Sequence, residues 1–235
     1  MCPLIIAENR SMNTQLRDKV VIISGATANI GKAITLAFAA EGAKIVAIGR
    51  DEVAGKHVVE KALSLGAAAA IFVKADMLDP TAPTLILQQA EKLGPPDVLI
   101  NNVGGNVGQE LFVDSDPDIW QKDIELTLNT TLRMTHAVLP GMIARKSGRI
   151  INIGSTAAIV GDYMLPVYSA AKGAVHSFTT VLAKEVGEHG ITVNCVAPDG
   201  TISTNPEDFS SGSRFNAETG SFRKSTANAN PEVMA

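Results

Sequence analysis

Tyr168 and Lys172 are the two side chains whose types and spacing most directly suggest chemistry. They lie four residues apart in a predicted helix, so a phenol and an ammonium project from the same helix face. A phenol ordinarily keeps its proton at neutral pH, but a nearby cation favours the phenolate and lowers the pKa of the phenol. Such a pair could exchange a proton with a substrate oxygen as a general acid or base. A tyrosine and a lysine at this spacing also occur in many helices that have no catalytic role.

Two further polar residues could join this pair. Ser155 follows a predicted strand and precedes Tyr168 by thirteen residues. A hydroxyl at the end of a strand can bond a substrate oxygen, although a serine there also commonly caps a turn. Asn129 lies in the middle of a long predicted helix, where asparagine is a mediocre helix former. Its side chain could serve the site or could simply face solvent.

A glycine-rich turn, from Ser24 to Gly31, joins the first predicted strand to the first predicted helix. A tight turn at a helix N-terminus offers backbone N–H groups and the positive end of the helix dipole to a pyrophosphate. The spacing Gly-x-x-x-Asn-x-Gly differs from the common Gly-x-Gly-x-x-Gly, and a turn of this kind can also occur without a ligand. Asn29 is among the non-glycine residues that best tolerate a positive φ, so we expect the turn to survive this substitution.

The residues after the second predicted strand bear on which nucleotide would bind. Sheets that bind NAD place a carboxylate here to accept hydrogen bonds from the ribose, whereas this chain has Gly49 and Arg50. The Arg50 guanidinium suits a phosphate, which favours NADP over NAD. Arg50 could also be an ordinary surface cation. Asp51 could reach a ribose, but we expect it to cap the helix that follows.

Alternating strands and helices must position these residues. Short β-branched runs predict the strands, and apolar, Ala-rich stretches between them predict the helices. Strands separated by helical crossovers form a parallel sheet covered on both faces, which binds ligands at the carboxyl ends of its strands. The predicted strands are 20–23, 44–48, 70–75, 97–100, 149–153 and 191–196, and the predicted helices are 30–41, 52–65, a segment from about 80 to 93, 117–145 and 166–188.

The whole set, taken in order, resembles the short-chain dehydrogenase/reductase family over about residues 16–204. The glycine turn is similar to the family's Thr-Gly-x-x-x-Gly-x-Gly motif, with Ser24 in place of Thr and Asn29 in place of the middle Gly. Tyr168-Ser-Ala-Ala-Lys172 matches the family's Tyr-x-x-x-Lys motif, and Ser155 has the family's spacing from it. The resemblance implies a single α/β domain with a Rossmann-like, doubly wound parallel sheet. It also implies reversible hydride transfer between a nicotinamide and a carbonyl or secondary alcohol.

The resemblance implies a role for each matched residue. Tyr168 exchanges the proton, Ser155 orients the substrate oxygen, and Lys172 tunes the phenol and holds the nicotinamide ribose. Asn129 is implied to anchor a water that links the lysine to solvent, whereas Asn101 is expected to be structural. The residues implied to contact the cofactor are Gly25, Thr27, Asn29, Ile30, Gly31, Arg50, Asp76, Met77, Asn102, Val103, Gly104, Pro198 and Thr204, together with Tyr168 and Lys172.

The predicted reaction leaves the substrate open. Apolar side chains in residues 156–166 suggest an apolar pocket wall, so a hydrophobic or cyclic ketone or alcohol fits, and so does the acyl chain of a 3-oxoacyl thioester. One rival interpretation is a nucleotide-binding or regulatory protein that has the fold without turnover, and another is a lyase or epimerase that uses the same site. The complete set of Asn, Ser, Tyr and Lys argues against both rivals, whereas the fold alone would not.

Composition and charge exclude other classes of protein. The chain of 235 residues is 46% hydrophobic and 19% charged, which is typical of a globular protein and not of a disordered or fibrous one. A net charge of −4 gives no sign of a nucleic-acid partner. Two cysteines cannot form a disulfide framework, and four histidines do not cluster at a metal-ligand spacing, so we expect no metal. We predict a cytoplasmic protein, because no apolar run approaches the ~20 residues of a membrane span and no signal peptide is recognisable.

The ends of the chain are expected to lie outside the folded domain. Residues 1–15 are predicted to be a flexible extension, 16–204 the dinucleotide-binding and catalytic domain, and 205–235 a substrate loop or a flexible, truncated tail. Family members continue into a further helix and a seventh strand, and we expect this strand to be missing here. The resemblance also implies a homodimer or homotetramer that forms through the predicted helices 117–145 and 166–188.

Overall fold

A computed structural model describes residues 13–201 and the backbones of two paired two-residue strands, Phe215–Asn216 and Ser221–Phe222. Its central sheet has six strands, and every neighbouring pair is parallel. The strands are β1 (Val20–Ser24), β2 (Lys44–Gly49), β3 (Ala69–Lys74), β4 (Val98–Asn101), β5 (Gly148–Ile153) and β6 (Ile191–Val196). Their order across the sheet is β3-β2-β1-β4-β5-β6. The predicted Rossmann-like α/β fold is confirmed, and each predicted strand end lies within one residue of the observed one.

Helices cover both faces of this sheet. Because successive strand residues point to opposite faces, Val20 and Ile22 of β1 enter one core while Val21 and Ile23 enter the other. The first core is closed by α3, α5 and α7, and the second by α1 and α2. The helices of the described residues are α1 (Asn29–Ala40), α2 (Glu52–Ser64), α3 (Ala82–Ala90), α4 (Pro117–Ile124), α5 (Thr130–Arg145), α6 (Ala157–Val160) and α7 (Pro166–Val186).

The predicted helix over 117–145 is interrupted in the structure. Between α4 and α5 the chain forms a π-helical segment, Glu125–Asn129. A π turn holds one more residue than the α-helical repeat, so the helix faces before and after it are out of register. Within residues 13–201, two short elements were also not predicted: the 3₁₀ turn Phe112–Asp114 and the four-residue helix α6.

Within residues 13–201, no helix is long and apolar enough to cross a membrane, and no group of His, Cys, Asp and Glu side chains is placed to hold a metal. Thr204, residues 1–12 and most of residues 205–235 lie outside the part of the chain that the structure describes. The predicted domain boundaries, the tail and the missing seventh strand therefore stay predictions.

Candidate active site

The strand order changes direction between β1 and β4, and the turns after these two strands meet at that point. Ser24, the last residue of β1, accepts hydrogen bonds on Oγ from the backbone N–H groups of Asn102 at 2.9 Å and Val103 at 3.1 Å. Asn102 Nδ2 donates in turn to the carbonyl oxygens of Ser24 at 3.0 Å and Gly25 at 3.3 Å. The Asn102 side chain therefore ties the glycine turn to the loop after β4. Ligands of doubly wound sheets bind at such a switch point.

The glycine turn needs its special residues for two different reasons. Gly25 has a φ of 65°, and Asn29 has a φ of 47°, so the expected positive φ at this asparagine is confirmed. Gly31 is required by a close approach, because a Cβ there would overlap the carbonyl oxygen of Gly25. The turn is therefore a tight backbone structure that leaves no room for a side chain at Gly31.

The N-terminus of α1 has no side-chain cap, which leaves its first backbone N–H groups for a ligand. Its N-cap residue is Ala28, no side chain caps the helix, and no acidic residue occupies the first turn, which contains Ile30. The first N–H groups of a helix lack partners within the helix and carry the positive end of its dipole. Thr27 lies just before the helix and packs against Gly49, where a Cβ would come within 2.7 Å of Thr27 Cγ2. This uncapped helix end beside the closely packed turn fits the pyrophosphate of a dinucleotide.

The carboxyl ends of β2 and β3 lie beside the glycine turn. Asp51 caps α2 as expected, because its carboxylate accepts hydrogen bonds from two backbone N–H groups of the first turn at 2.8 and 3.0 Å. Arg50, one residue earlier, is exposed. The Asp76 carboxylate accepts from a backbone N–H two residues further on at 3.0 Å, and Met77 is buried behind it. The carboxylate of Asp51 is thus engaged in a helix cap, while the guanidinium of Arg50 faces solvent.

Lys172 connects three of the site's elements. Its side chain is buried on α7, and Nζ donates a hydrogen bond of 2.6 Å to the carbonyl oxygen of Ile153 at the end of β5. The same Nζ lies 5.9 Å from the ring centroid of Tyr168. Gly104, after β4, passes so close that a Cβ there would lie 3.0 Å from Nζ. Burial lowers the pKa of Lys172 to about 8.

Ser155 follows β5 and opens the short helix α6. Its Oγ accepts a hydrogen bond of 3.1 Å from the backbone N–H of Ala157. This bond uses an acceptor site of the hydroxyl and leaves its proton available for donation. The arrangement suits a hydroxyl that donates to a substrate oxygen. It also explains why a serine at this position can be a turn cap and a site residue at once.

The side chain of Asn129 forms its hydrogen bond within its own helical segment. Nδ2 donates to the carboxylate of Glu125, which also forms an ion pair with Arg133. The hydrogen bond from Asn129 and the guanidinium of Arg133 hold the pKa of Glu125 below its usual value. The role expected of Asn129 therefore stays a prediction, and another residue of the same segment contacts the loop beside Lys172.

That residue is Thr127, which the sequence analysis missed. It is fully buried in the π-helical segment, and its Oγ1 donates to the carbonyl oxygen of Gly105 at 2.9 Å and accepts from the N–H of Gly105 at 3.2 Å. Gly105 follows directly on Gly104, the residue beside Lys172 Nζ. Thr127 therefore fixes the loop against which the lysine packs. A buried threonine in a helix carries no sequence signal that would have singled it out.

The segment after β6 supports the Ser155 loop. The N–H of Thr156 donates to the carbonyl oxygen of Pro198 at 3.1 Å, and Thr156 Oγ1 donates to the carboxylate of Asp199 at 3.0 Å.

Asn101 is structural as expected, since it is buried and its Nδ2 donates to Thr135 Oγ1 and to an asparagine of β5 at 2.9 Å each. Thr204, the remaining candidate, lies outside the described residues.

Known proteins are similar to this chain over most of its length. A family model described as short chain dehydrogenase matches residues 19–211. A 3-oxoacyl-[acyl-carrier-protein] reductase of Synechocystis is 39% identical over 193 residues, which cover 81% of this chain and 77% of the relative. A 1,6-dihydroxycyclohexa-2,4-diene-1-carboxylate dehydrogenase of Pseudomonas putida is 36% identical, with coverages of 81% and 69%. An uncharacterised oxidoreductase of Staphylococcus saprophyticus is 33% identical, with coverages of 78% and 79%.

Proposed function

The chain belongs to the short-chain dehydrogenase family, and from this premise we propose that it is an NAD(P)-dependent oxidoreductase acting on a ketone or secondary alcohol. The observation that carries the proposal is the buried Lys172 ammonium. It is held by the end of β5 and lies against both the Tyr168 ring and the loop after β4. Burying a charged amine is costly, so its placement under a phenol at the ligand-binding edge of the sheet favours a catalytic role.

Some of the residues that would hold the cofactor do so through their backbone, and others through their side chains. The turn from Gly25 to Gly31 and the open N-terminus of α1 suit the pyrophosphate. Asn102 and Gly104 line the switch point, and Lys172 would hold the nicotinamide ribose. A bound nicotinamide supplies or accepts the hydride.

Proton transfer falls to Tyr168. In the reducing direction its phenol gives a proton to the substrate oxygen as that oxygen gains negative charge. The ammonium of Lys172 favours the phenolate that results, because an opposite charge nearby lowers its energy. Ser155 donates its free hydroxyl proton to the same substrate oxygen and so holds the carbonyl beside the phenol.

NADP is the proposed cofactor, with NAD as the less favoured one. Arg50 lies exposed at the carboxyl end of β2, where its guanidinium can pair with a ribose phosphate. Asp51 supports the same choice, because its carboxylate already accepts two backbone hydrogen bonds in the cap of α2.

The proposed substrate is hydrophobic or cyclic. The loop that follows Ser155 is joined to the loop after β4 by a hydrogen bond of 3.2 Å from the N–H of Glu110 to the carbonyl oxygen of Met164. Both loops expose large apolar side chains, namely Leu111, Phe112, Val113, Ile159, Val160 and Tyr163. The same surface would suit a 3-oxoacyl thioester, and the Synechocystis relative, named as a 3-oxoacyl-[acyl-carrier-protein] reductase, supports that as the second candidate.

A small panel of carbonyl compounds tests the proposal. Purified protein is incubated with NADPH and either a cyclic ketone, a linear aliphatic ketone or a 3-oxoacyl thioester, and the loss of nicotinamide absorbance is followed. We expect oxidation of NADPH with at least one apolar ketone. Tight cofactor binding without turnover on any substrate would instead indicate a nucleotide-binding protein of the same fold. A preference for the thioester would favour the second candidate.

We also propose that residues 16–204 act as one catalytic domain and that the protein forms a homodimer or homotetramer. The long helices α5 and α7 and the exposed apolar Val181 on α7 support self-association through one symmetric surface. Light scattering at micromolar concentration should give two or four times the mass of the 24.6 kDa chain. A monomeric mass would contradict this assembly.

A further inference from the structure

His176 lies on α7, one helical turn after Lys172, at the place where the helix crosses the end of β5. Its Nε2 accepts a hydrogen bond of 3.4 Å from the backbone N–H of Ser155. Gly154 fits between this imidazole and Cys195 of β6, because a Cβ at that position would overlap His176 Nε2 and lie 2.6 Å from Cys195 Sγ. The glycine therefore allows the imidazole to reach the backbone of the next residue.

Three successive N–H groups at the end of β5 have different kinds of partner. Gly154 N–H donates to the carbonyl oxygen of Val196 at 2.7 Å, and Thr156 N–H donates to that of Pro198 at 3.1 Å. Between them, Ser155 N–H points the other way and donates to a side chain, the imidazole of His176. The two flanking bonds join the loop to β6, and the central bond joins it to α7, the helix that carries Tyr168 and Lys172.

We propose that His176 is a positioning residue of the active site: its unprotonated Nε2 holds the Ser155 N–H and thereby sets the direction of the Ser155 hydroxyl relative to Tyr168. This inference rests on the reaction proposed above. It assigns to His176 a function that needs the neutral imidazole, because a protonated ring would present N–H to N–H and lose the bond.

The surroundings favour the neutral form. Among the ionisable groups of the described residues, Lys172 on the same helix and Cys195 on β6 lie close to the imidazole. The end of β5 places the backbone of Gly154 against it. Burial, and then the positive charge of Lys172, lower the pKa of His176 below its ordinary value. Burial raises the pKa of Cys195, so the thiol stays neutral and gives no charge that would attract a proton to the ring. Asp199, the next acid along the chain from β6, is bonded to Thr156.

Two substitutions of His176 distinguish the loss of its hydrogen-bond acceptor from the loss of its titration. His176→Leu fills similar space without an acceptor, and we expect kcat to fall about tenfold while KM for the cofactor is unchanged, the size expected from one lost hydrogen bond beside the reacting group. His176→Gln keeps an acceptor oxygen that does not titrate near neutral pH. It should restore most of kcat, and the fall of kcat at acid pH that we expect of the wild type should be absent. His57→Leu and His57→Gln, made at an exposed histidine of α2, are the matched controls and should change neither quantity.

A tautomer measurement tests the same contact without turnover. In protein labelled with ¹⁵N-histidine, long-range ¹H–¹⁵N spectra at neutral pH should show His176 as the Nδ1–H tautomer with Nε2 unprotonated. Protonated Nε2, an unchanged kcat in His176→Leu, or an unaltered acid limb in His176→Gln would each overturn the proposal. If the wild type reduces no carbonyl compound, the proposed function fails while the tautomer still decides the contact. If the wild type is active and Tyr168→Phe is not, a normal His176→Leu overturns the positioning role alone.

Discussion

The two halves of the sheet build their parts of the site in opposite ways. In the half formed by β1 to β3 with α1 and α2, the candidate site is backbone: a glycine turn and an uncapped helix end. In the half formed by β4 to β6 with α5 and α7, it is made of buried polar side chains. Asn101 Nδ2 donates to Asn152 Oδ1, and Asn152 Nδ2 donates to Thr179 Oγ1, each at 2.9 Å, which links β4 and β5 to the helix of Lys172.

This contrast predicts how each half fails. A site made of backbone is damaged by adding atoms, because there is no space for them. A site made of side chains is damaged by removing atoms, because its side chains bond to one another and to the backbone, as Asn101 does to Asn152 and Lys172 to Ile153. Substitutions in the first half should therefore change cofactor affinity, and substitutions in the second half should change turnover and its dependence on pH.

The largest effect is expected from removing one oxygen in the second half. Tyr168→Phe keeps the ring and loses the proton donor, so kcat should fall by about a hundredfold or more. Cofactor affinity, followed by the fluorescence of bound NADPH, should stay within about twofold. A near-normal kcat in this variant would show that Tyr168 is not the general acid.

Adding one carbon in the first half should give the next largest effect. In Gly31→Ala the new Cβ overlaps the Gly25 carbonyl oxygen, so the turn must shift at a cost of about 1–3 kcal/mol, and NADPH affinity should fall at least about tenfold. Gly173→Ala is the matched control, because among the described residues the added Cβ in α7 meets no atom within 4 Å apart from the adjoining backbone of its own helix. The control should raise stability by about 0.5–1 kcal/mol in urea unfolding. Equal cofactor affinity in the two variants would refute the backbone-built site.

Arg50 is an exception in the first half, because it is a side chain proposed to bind the cofactor where the rest of the candidate site is backbone. NADPH should bind the wild type at least about tenfold tighter than NADH, equivalent to about 1.4 kcal/mol. Arg50→Gln should remove this difference by weakening NADPH alone. Gly49→Asp should move the preference toward NAD, but its Cβ would also press on Thr27, so Arg50→Gln is the cleaner variant. Fluorescence titrations that give equal wild-type affinities would instead favour Asp51 as the ribose ligand.

The smallest effect near neutral pH concerns Lys172. Burial lowers its pKa to about 8, so the ammonium is charged at pH 7 and loses its proton as the pH rises through about 8. For carbonyl reduction, kcat/KM for NADPH reports the free enzyme and should fall about twofold at pH 8 and about tenfold at pH 9. Lys172→Gln should have a low kcat/KM that does not fall between pH 7 and pH 9. A flat wild-type profile from pH 7 to 9 would mean that the charge of Lys172 is not used.

The fold was more predictable than the site. All six strands follow from β-branched runs, and Asp51 as a cap and Asn29 at positive φ follow from local backbone chemistry. The contacts of Thr127 and His176 do not, because they join segments that are far apart in the sequence. The π-helical segment adds a residue that hydrophobic spacing does not reveal. Within this segment the Thr127 side chain bonds the loop beside Lys172, while the Asn129 side chain bonds Glu125. Gly154 likewise could not be singled out from the sequence, because its close contact with His176 is apparent only in the structure.

Direct observation of hydride transfer tests the central claim most sharply. The protein is incubated with an apolar ketone and NADPH deuterated separately at each of the two C4 positions, and the alcohol is analysed by mass spectrometry. Direct hydride transfer from one face of the nicotinamide should place one deuterium on the carbinol carbon from one of the two cofactors and none from the other. Tyr168→Phe should bind the same cofactor without forming the product. Tight binding of NADPH by the wild type with no deuterium transferred to any carbonyl compound would contradict the proposed reaction.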